Sequence, residues 1–204
     1  MNVYDQLALW YLRLNGYFTM PNFIAHGNEG PRTDVDVLGV RPAHSREYPD
    51  DIRRLQICPG KTDFVLAEST AGRCKLNGPW KVGGSRRALE YVLRRVGTFD
   101  SDDGVSAAAT ALYGKQRYEN VGFVIRMICF GSQSNGRLHA VTQILWPDAL
   151  SFINQRFQTY KAEKADHQHW DAFGKYLWNR LSVDAVPAVT DLVKGWEGKC
   201  PCWP

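Results

Sequence analysis

The sequence predicts an α/β domain built as a mixed β-sheet flanked by helices. Three observations carry this: apolar residues of helical period open the chain and dominate its last quarter, three strand-like segments follow one another from Tyr17 to Thr70, and two more lie beyond a further helix. With 204 residues, 44% hydrophobic and 23% charged, the chain is long enough to remove roughly 70% of its unfolded surface from water without structural metal or disulfides. It is read as a single domain, with an α/β core over 1–145 and a helical C-terminal extension over 146–204 packed on that core.

Each element has its own local reason. Leu7, Leu9, Trp10, Leu12 and Leu14 give the segment Tyr4 to Asn15 an amphipathic helical pattern, and Gly16 follows where helices stop. YFTMPNFIAH (17–26) is rich in aromatic and β-branched residues but contains Pro21, which suits a bent or edge strand. TDVDVLGV (33–40) is a second strand, a proline-containing loop runs from Arg41 to Gly60, and TDFVLAEST (62–70) is a third strand. SRRALEYVLRRV (85–96) has helical period with Ser85 as its N-cap. The Ala-rich stretch between Ser101 and Asn120 reads as a helix or irregular cover. VGFVIRMICFG (121–131) is a continuous apolar run of buried-strand length, and RLHAVTQILW (137–146) reads as its hairpin partner after the Ser134-Asn135-Gly136 turn. Helical patterns occupy 147–163, 167–181 and 189–196, with Trp146, Phe152, Phe157, Trp170, Phe173, Tyr176 and Trp178 as the apolar layer facing the sheet.

Composition excludes several classes of function. No apolar run approaches the ~18 residues that cross a bilayer, and the N-terminal segment lacks a basic region and a small-residue cleavage site, so the expectation is a cytoplasmic protein with no membrane partner. The five cysteines, Cys58, Cys74, Cys129, Cys200 and Cys202, have no framework spacing. Cys200 and Cys202 supply two thiols one residue apart, short of the four ligands of a zinc site, and read as a frayed tail. His167 and His169 would diverge by ~200° on a helix and so do not share a metal. His26, His44 and His139 are scattered, no Ser/His/Asp or Cys/His order suggests acyl transfer, and neither a P-loop nor GxGxxG is present. The net charge of +4 is compatible with nucleic acid.

The residues with chemical potential lie on the second and third strands. Alternation puts Asp34, Asp36 and Leu38 on one face and Val35 and Val37 on the other; on the next strand Phe64, Leu66, Glu68 and Thr70 share a face. Glu68 is the only charge in FVLAE, and a carboxylate in such a stretch needs a partner. One solution brings Glu68 beside Asp36 around a divalent cation, for which oxygen ligands select Mg²⁺ or Mn²⁺. The other is an ion pair with Arg32, Arg41 or Arg73.

Through GYFTMPNFIAH, RTDVDVLGVRP, KTDFVLAEST and CKLNGPW, and more loosely WDAFGKYLW, the chain resembles a bacterial branch of the PD-(D/E)xK, or restriction-endonuclease-like, nucleases. The resemblance implies a restriction-endonuclease-like sheet and a Mg²⁺- or Mn²⁺-dependent endonuclease that hydrolyses DNA, in bacterial defence or DNA processing. In that family a strand Asp and the Glu of an ExK tripeptide hold the metal, and the Lys positions or activates the attacking water. Asp36 and Glu68 match the acidic pair, and the Ser69 carbonyl would complete the shell. Thr70 stands at the Lys position and offers neither positive charge nor a protonatable amine. Lys75 is the candidate substitute as third catalytic residue, with Lys61 and Arg73 behind it. Asp5 and Asp34 are additional acidic candidates. Arg73, Arg86, Arg87 and Arg94, with Arg95, supply positive charge for a phosphate backbone or form a solvated helix face. Trp80 of the CKLNGPW loop is read as a core residue. The implied partner is DNA or another nucleic acid, with a protein partner or homodimer as further expectations. The competing reading is a catalytically impaired nuclease-fold protein that binds nucleic acid or a protein partner.

Overall fold

In the computed structural model, residues 1–25, 33–45, 55, 58–80, 86–162, 171–182 and 185–197 are described. Helix α1 (Val3–Arg13) begins at Asn2, whose side chain accepts from the Asp5 N–H while the Asp5 carboxylate accepts from the Asn2 N–H. Two donors that a helix start would otherwise leave unpaired are thereby satisfied. Gly16, at φ +82°, turns the chain into β1 (Phe18–Ala25). Strands β1, β2 (Thr33–Arg41) and β3 (Thr62–Ser69) form an antiparallel meander. β1 is an edge strand, as Pro21 predicts, and at Asn22, whose φ is +47°, the pairing lapses between Pro21↔Val37 and Phe23↔Val35 without a change of register.

Helices α2 (Arg86–Val96) and α3 (Asp102–Lys115) follow, the second capped by the Ser101 side chain on the Gly104 N–H. Between Lys115 and the next long strand the chain forms β4 (Arg117–Glu119), then β5 (Phe123–Gly131), which runs parallel to β3. β6 (Thr142–Leu145) leads directly into α4 (Trp146–Thr159), and α5 (Ala172–Leu181) and α6 (Val189–Glu197) complete the described chain. The sheet order is β1-β2-β3-β5, with β4 and β6 both bonded to β5. β4 is antiparallel to its first half and β6 parallel to its second.

Two expectations are corrected. The segment after Gly131 is not a hairpin partner: β6 pairs with β5 in parallel, across a crossover containing a 3₁₀ turn at Gly136–Leu138. Side-chain hydrogen bonds hold that crossover. The Gln143 amide donates to the Asn135 and Leu138 carbonyls, the Asn135 N–H donates to Gln143 Oε1 at 2.6 Å, and the Asn135 amide donates to the Cys74 carbonyl. The second correction is β4, a three-residue strand within the segment read as helix or cover; Gln116 at φ +57° ends α3 and redirects the chain into it.

Helices lie on both faces of the sheet, giving two cores. Val37, Val65, Ala67, Ile128 and Phe130 pack with α1, α4, α5 and α6. Leu38, Phe64, Leu66, Met127 and Cys129 pack with α2 and α3, and Trp80 is buried there at 2% exposure, as a core residue. The C-terminal helices thus share one apolar cluster with α1 and the sheet. Ser85, His26, Arg32, His167, His169, Trp170, Cys200 and Cys202 lie outside the described residues, as does most of the 41–60 loop.

At the Thr62 end of the sheet, Asp63, Arg126 and Tyr17 form a buried polar triad. Arg126 donates to both Asp63 oxygens, at 3.2 and 2.6 Å, and to the Tyr17 hydroxyl at 2.8 Å, while that hydroxyl donates to Asp63 at 2.7 Å. Burial and the Asp63 charge raise the Tyr17 pKa, so its proton stays in place as a donor. Arg126 is the one charged residue within the otherwise apolar β5, and the triad supplies its partners.

Candidate functional site

The opposite end of β3 gathers four carboxylates. The β2–β3 ladder stops at Val37↔Ala67, and one more step of the same register puts Asp36 across from Glu68. Both belong to the α2/α3 face, in the alternation shared with Leu38 and Leu66. Asp36 is half-buried and accepts a 2.7 Å hydrogen bond from the Ser69 backbone N–H. The Ser69 hydroxyl donates to Asp5 on α1 at 2.5 Å, and Asp5 is itself only 4% exposed. One serine therefore connects a strand carboxylate to a helix carboxylate. Asp34 is exposed, two residues before Asp36 on the same strand.

Glu68 is the most confined member. It is 4% exposed, its backbone is flanked in the sheet by Cys129, and the Asn77 backbone N–H acts on its carboxyl in the direction that favours the charged form. Its Oε1 is buried with no hydrogen-bond partner among the described residues. Burial, then the charges of Asp36 and Asp34, push the Glu68 carboxyl up to about 9, against the pull of the Asn77 N–H. Burial also raises Asp36, to about 6; the Ser69 N–H opposes this, and the Asp5 and Asp34 charges add to it. Carboxyls raised first by burial and then by neighbouring carboxylates mark a place where negative charge lacks a compensating cation.

The surrounding loops are fixed. After Thr70 the chain crosses β5 at Gly131, where a Cβ would stand 2.7 Å from the Gly72 carbonyl oxygen and 2.8 Å from the Cys74 nitrogen, so only glycine fits. The Trp146 indole N–H donates to the Thr70 carbonyl at 2.8 Å, and its ring stacks on Phe130 at 5.4 Å. These contacts pin the end of β3 that carries Glu68 and Ser69.

The predicted residues fall into three groups. Asp5, Asp34, Asp36, Glu68 and Ser69 come together, with Ser69 contributing its N–H and hydroxyl where the resemblance implied its carbonyl. Lys75 is exposed and lines a cavity with Leu76, Gln116 and Arg137 whose wall contains none of the four carboxylates. Lys61 is held by Glu119 and the Asn120 carbonyl, and Arg41 donates to the Ser45 carbonyl from a position paired with Asp63. Arg73 is exposed beside Gln133. On α2, Arg86 and Arg94 bracket Glu90, Arg94 also meets Asp102 at 2.9 Å, Arg87 lies over Tyr91 and Arg95 over Phe23. Sequence reasoning missed the Asn77 N–H and the cap at Asn2; the Asn2-x-x-Asp5 spacing was the available signal for the latter.

Among the described residues no group of three or more His, Cys, Asp or Glu side chains is placed to hold a metal ion. Mg²⁺ needs fewer protein ligands, since one or two carboxylates hold it and water and phosphate oxygens complete its shell; Asp36 and the unpartnered Glu68 Oε1 are the donors that could serve such an ion. No helix among the described residues is long and apolar enough to cross a membrane. No protein-family model, no curated protein and no solved structure matches the chain.

Proposed function

We infer that this protein is a divalent-metal-dependent phosphodiesterase acting on DNA. The observation that carries the reading is the convergence of Asp36 and Glu68 at the end of the β2–β3 ladder, with Glu68 Oε1 buried and unpartnered among the described residues. Asp36 and Glu68 would hold Mg²⁺ or Mn²⁺. Such an ion supplies positive charge that lowers the pKa of an attacking water and offsets charge developing on the phosphate. The protein's own residues do the rest: Ser69 orients Asp36 through its N–H and Asp5 through its hydroxyl, and the Asn77 N–H favours the charged form of Glu68. Helix α2 packs on the same face of the sheet as the acidic pair. Its Arg86 and Arg94 are paired only with exposed or half-buried acids, in contacts worth about 0–1 kcal/mol, so a phosphate backbone competes for them readily.

One observation favours a binding-only alternative. Thr70 occupies the position where a lysine would serve the attack, its hydroxyl accepting from the Gly72 N–H, while Lys75 lines a cavity whose wall holds none of the four carboxylates. Cleavage of end-labelled single- and double-stranded DNA with Mg²⁺ or Mn²⁺ decides between the two. Cutting that EDTA abolishes and that Asp36→Ala and Glu68→Ala each reduce by about a hundredfold or more supports the nuclease. Retained DNA binding with no cutting supports the alternative, and cutting that survives both substitutions overturns the assignment of the site.

A further inference from the structure

We propose that the cavity beside Lys75 is a nucleotide-binding subsite that takes a phosphate on its cationic wall and a base on its apolar floor. It rests on the nuclease reading only for the suggestion that the nucleotide belongs to a DNA strand. The cavity encloses about 510 Å³, within the range of small-molecule sites. Lys75, Arg137 and His139 line it, and no acidic residue among the described residues does. Neither Lys75 nor Arg137 has an ion-pair partner among the described residues, whereas Arg13, Arg86, Arg94 and Arg117 are all paired. Uncompensated cations converging on one concavity select an anion, and a guanidinium selects phosphate in particular.

The remaining wall excludes a bare anion as the best fit. Half-buried Leu138 and exposed Ala140, set over buried Leu76 and Val141, form an apolar surface that phosphate alone leaves unused. Gln116 also lines the cavity. It is 7% exposed, and its amide N–H₂ donates to the Tyr113 carbonyl. A planar, amphipathic ligand with an anionic end matches both the cationic and the apolar lining.

The wall is held in place before any ligand arrives. The Cys129 thiol donates to the Lys75 carbonyl at 3.1 Å, and the Asn135 amide donates to the Cys74 carbonyl at 2.9 Å. The segment that lines the cavity runs on from Leu76 to Asn77, whose backbone N–H acts on the Glu68 carboxyl. A nucleotide within a DNA strand presents a phosphate and a base of this kind. A free nucleotide offers the same chemistry.

Calorimetric titration of the full chain in EDTA, with no cleavage readout, tests the subsite independently of the nuclease reading. The probes are the four deoxynucleoside monophosphates, the corresponding nucleosides, inorganic phosphate and a short single-stranded oligonucleotide. The expected result is that at least one monophosphate binds about tenfold or more tightly than its nucleoside and than phosphate, and that Arg137→Gln and Lys75→Gln each weaken it by about tenfold, the loss of one charge-assisted contact. Both residues are exposed, so these variants are expected to fold. Oligonucleotide binding that Arg137→Gln weakens equally identifies a strand-borne nucleotide; binding of the monophosphate alone identifies a free one. The proposal is overturned if no monophosphate binds at millimolar concentration, if phosphate binds as tightly as the nucleotides, or if neither substitution changes the affinity.

Discussion

The Ser69 backbone N–H donates to the Asp36 carboxylate at 2.7 Å, tying β3 to β2 where their regular ladder has already ended. A side-chain acceptor thus replaces the next backbone carbonyl. Asp36 is left half-exposed there, while Glu68 stays almost fully enclosed.

The acidic pair predicts an inverted pH response in the metal-free protein. A carboxyl raised on folding is more protonated in the native state than in the unfolded chain, so stability is greatest below the ordinary carboxyl range and declines as pH rises. The decline runs to about pH 6 for Asp36 and on to about pH 9 for Glu68. Urea unfolding in EDTA is expected to give a lower midpoint at pH 8 than at pH 5, and Glu68→Gln is expected to raise the pH 8 stability by about 1–3 kcal/mol by removing a buried charge. Mn²⁺ should stabilise the wild type more at pH 8 than at pH 5, and lose that effect in Glu68→Gln. A midpoint independent of pH and of Glu68 would contradict this.

Ser69→Ala removes the hydroxyl that joins Asp5 to β3 and keeps the N–H that holds Asp36. The expected cost is about 1 kcal/mol of stability, with a further loss of Mn²⁺ affinity if Asp5 belongs to the working site. Ser69→Thr retains the hydroxyl and a strand-favouring side chain, and should restore both. Denaturation and metal titration of the two variants provide the check.

Arg126→Leu is expected to cost about 3–5 kcal/mol, because it leaves the Asp63 carboxylate buried without its bidentate partner. The double variant Asp63→Leu/Arg126→Leu should be less damaged than Arg126→Leu alone, since it removes both charges. Urea midpoints of the single and double variants separate this from a simple loss of packing.

Gly174→Ala tests how α5 docks. Alanine is the better helix former, yet a Cβ at position 174 would run into the Trp10 ring, whose indole N–H donates to Asp171 at 3.2 Å. The expected outcome is a loss of about 1–3 kcal/mol despite the propensity gain, seen as a lowered Tm. An unchanged or raised Tm would show that α5 shifts on α1 without cost.

The alternating pattern of β2 and β3 was legible because one face of each strand is apolar, and that alone brought Asp36 and Glu68 to a shared side of the sheet. The roles of Asp5 and Ser69 were harder to read, since their meeting depends on how α1 packs against the far end of β3. β4 escaped notice because so short a strand carries no period. β6 was read as a hairpin strand because a short connection ordinarily reverses direction; hydrogen bonds from Gln143 and Asn135, which no period encodes, hold the crossover instead.

By itself the sequence determined the α/β class, the order of the long elements, the edge position of the proline-bearing β1 and the two strand carboxylates, all of which follow from side-chain period and local backbone preference. Tertiary structure decided which cations remain away from those carboxylates, the parallel pairing of β6, and the cavity that gathers Lys75, Gln116 and Arg137. Those three residues belong to separate connections, and no side-chain period relates one connection to another. Their meeting is set by how the packed layers bring distant loops together at one end of the sheet.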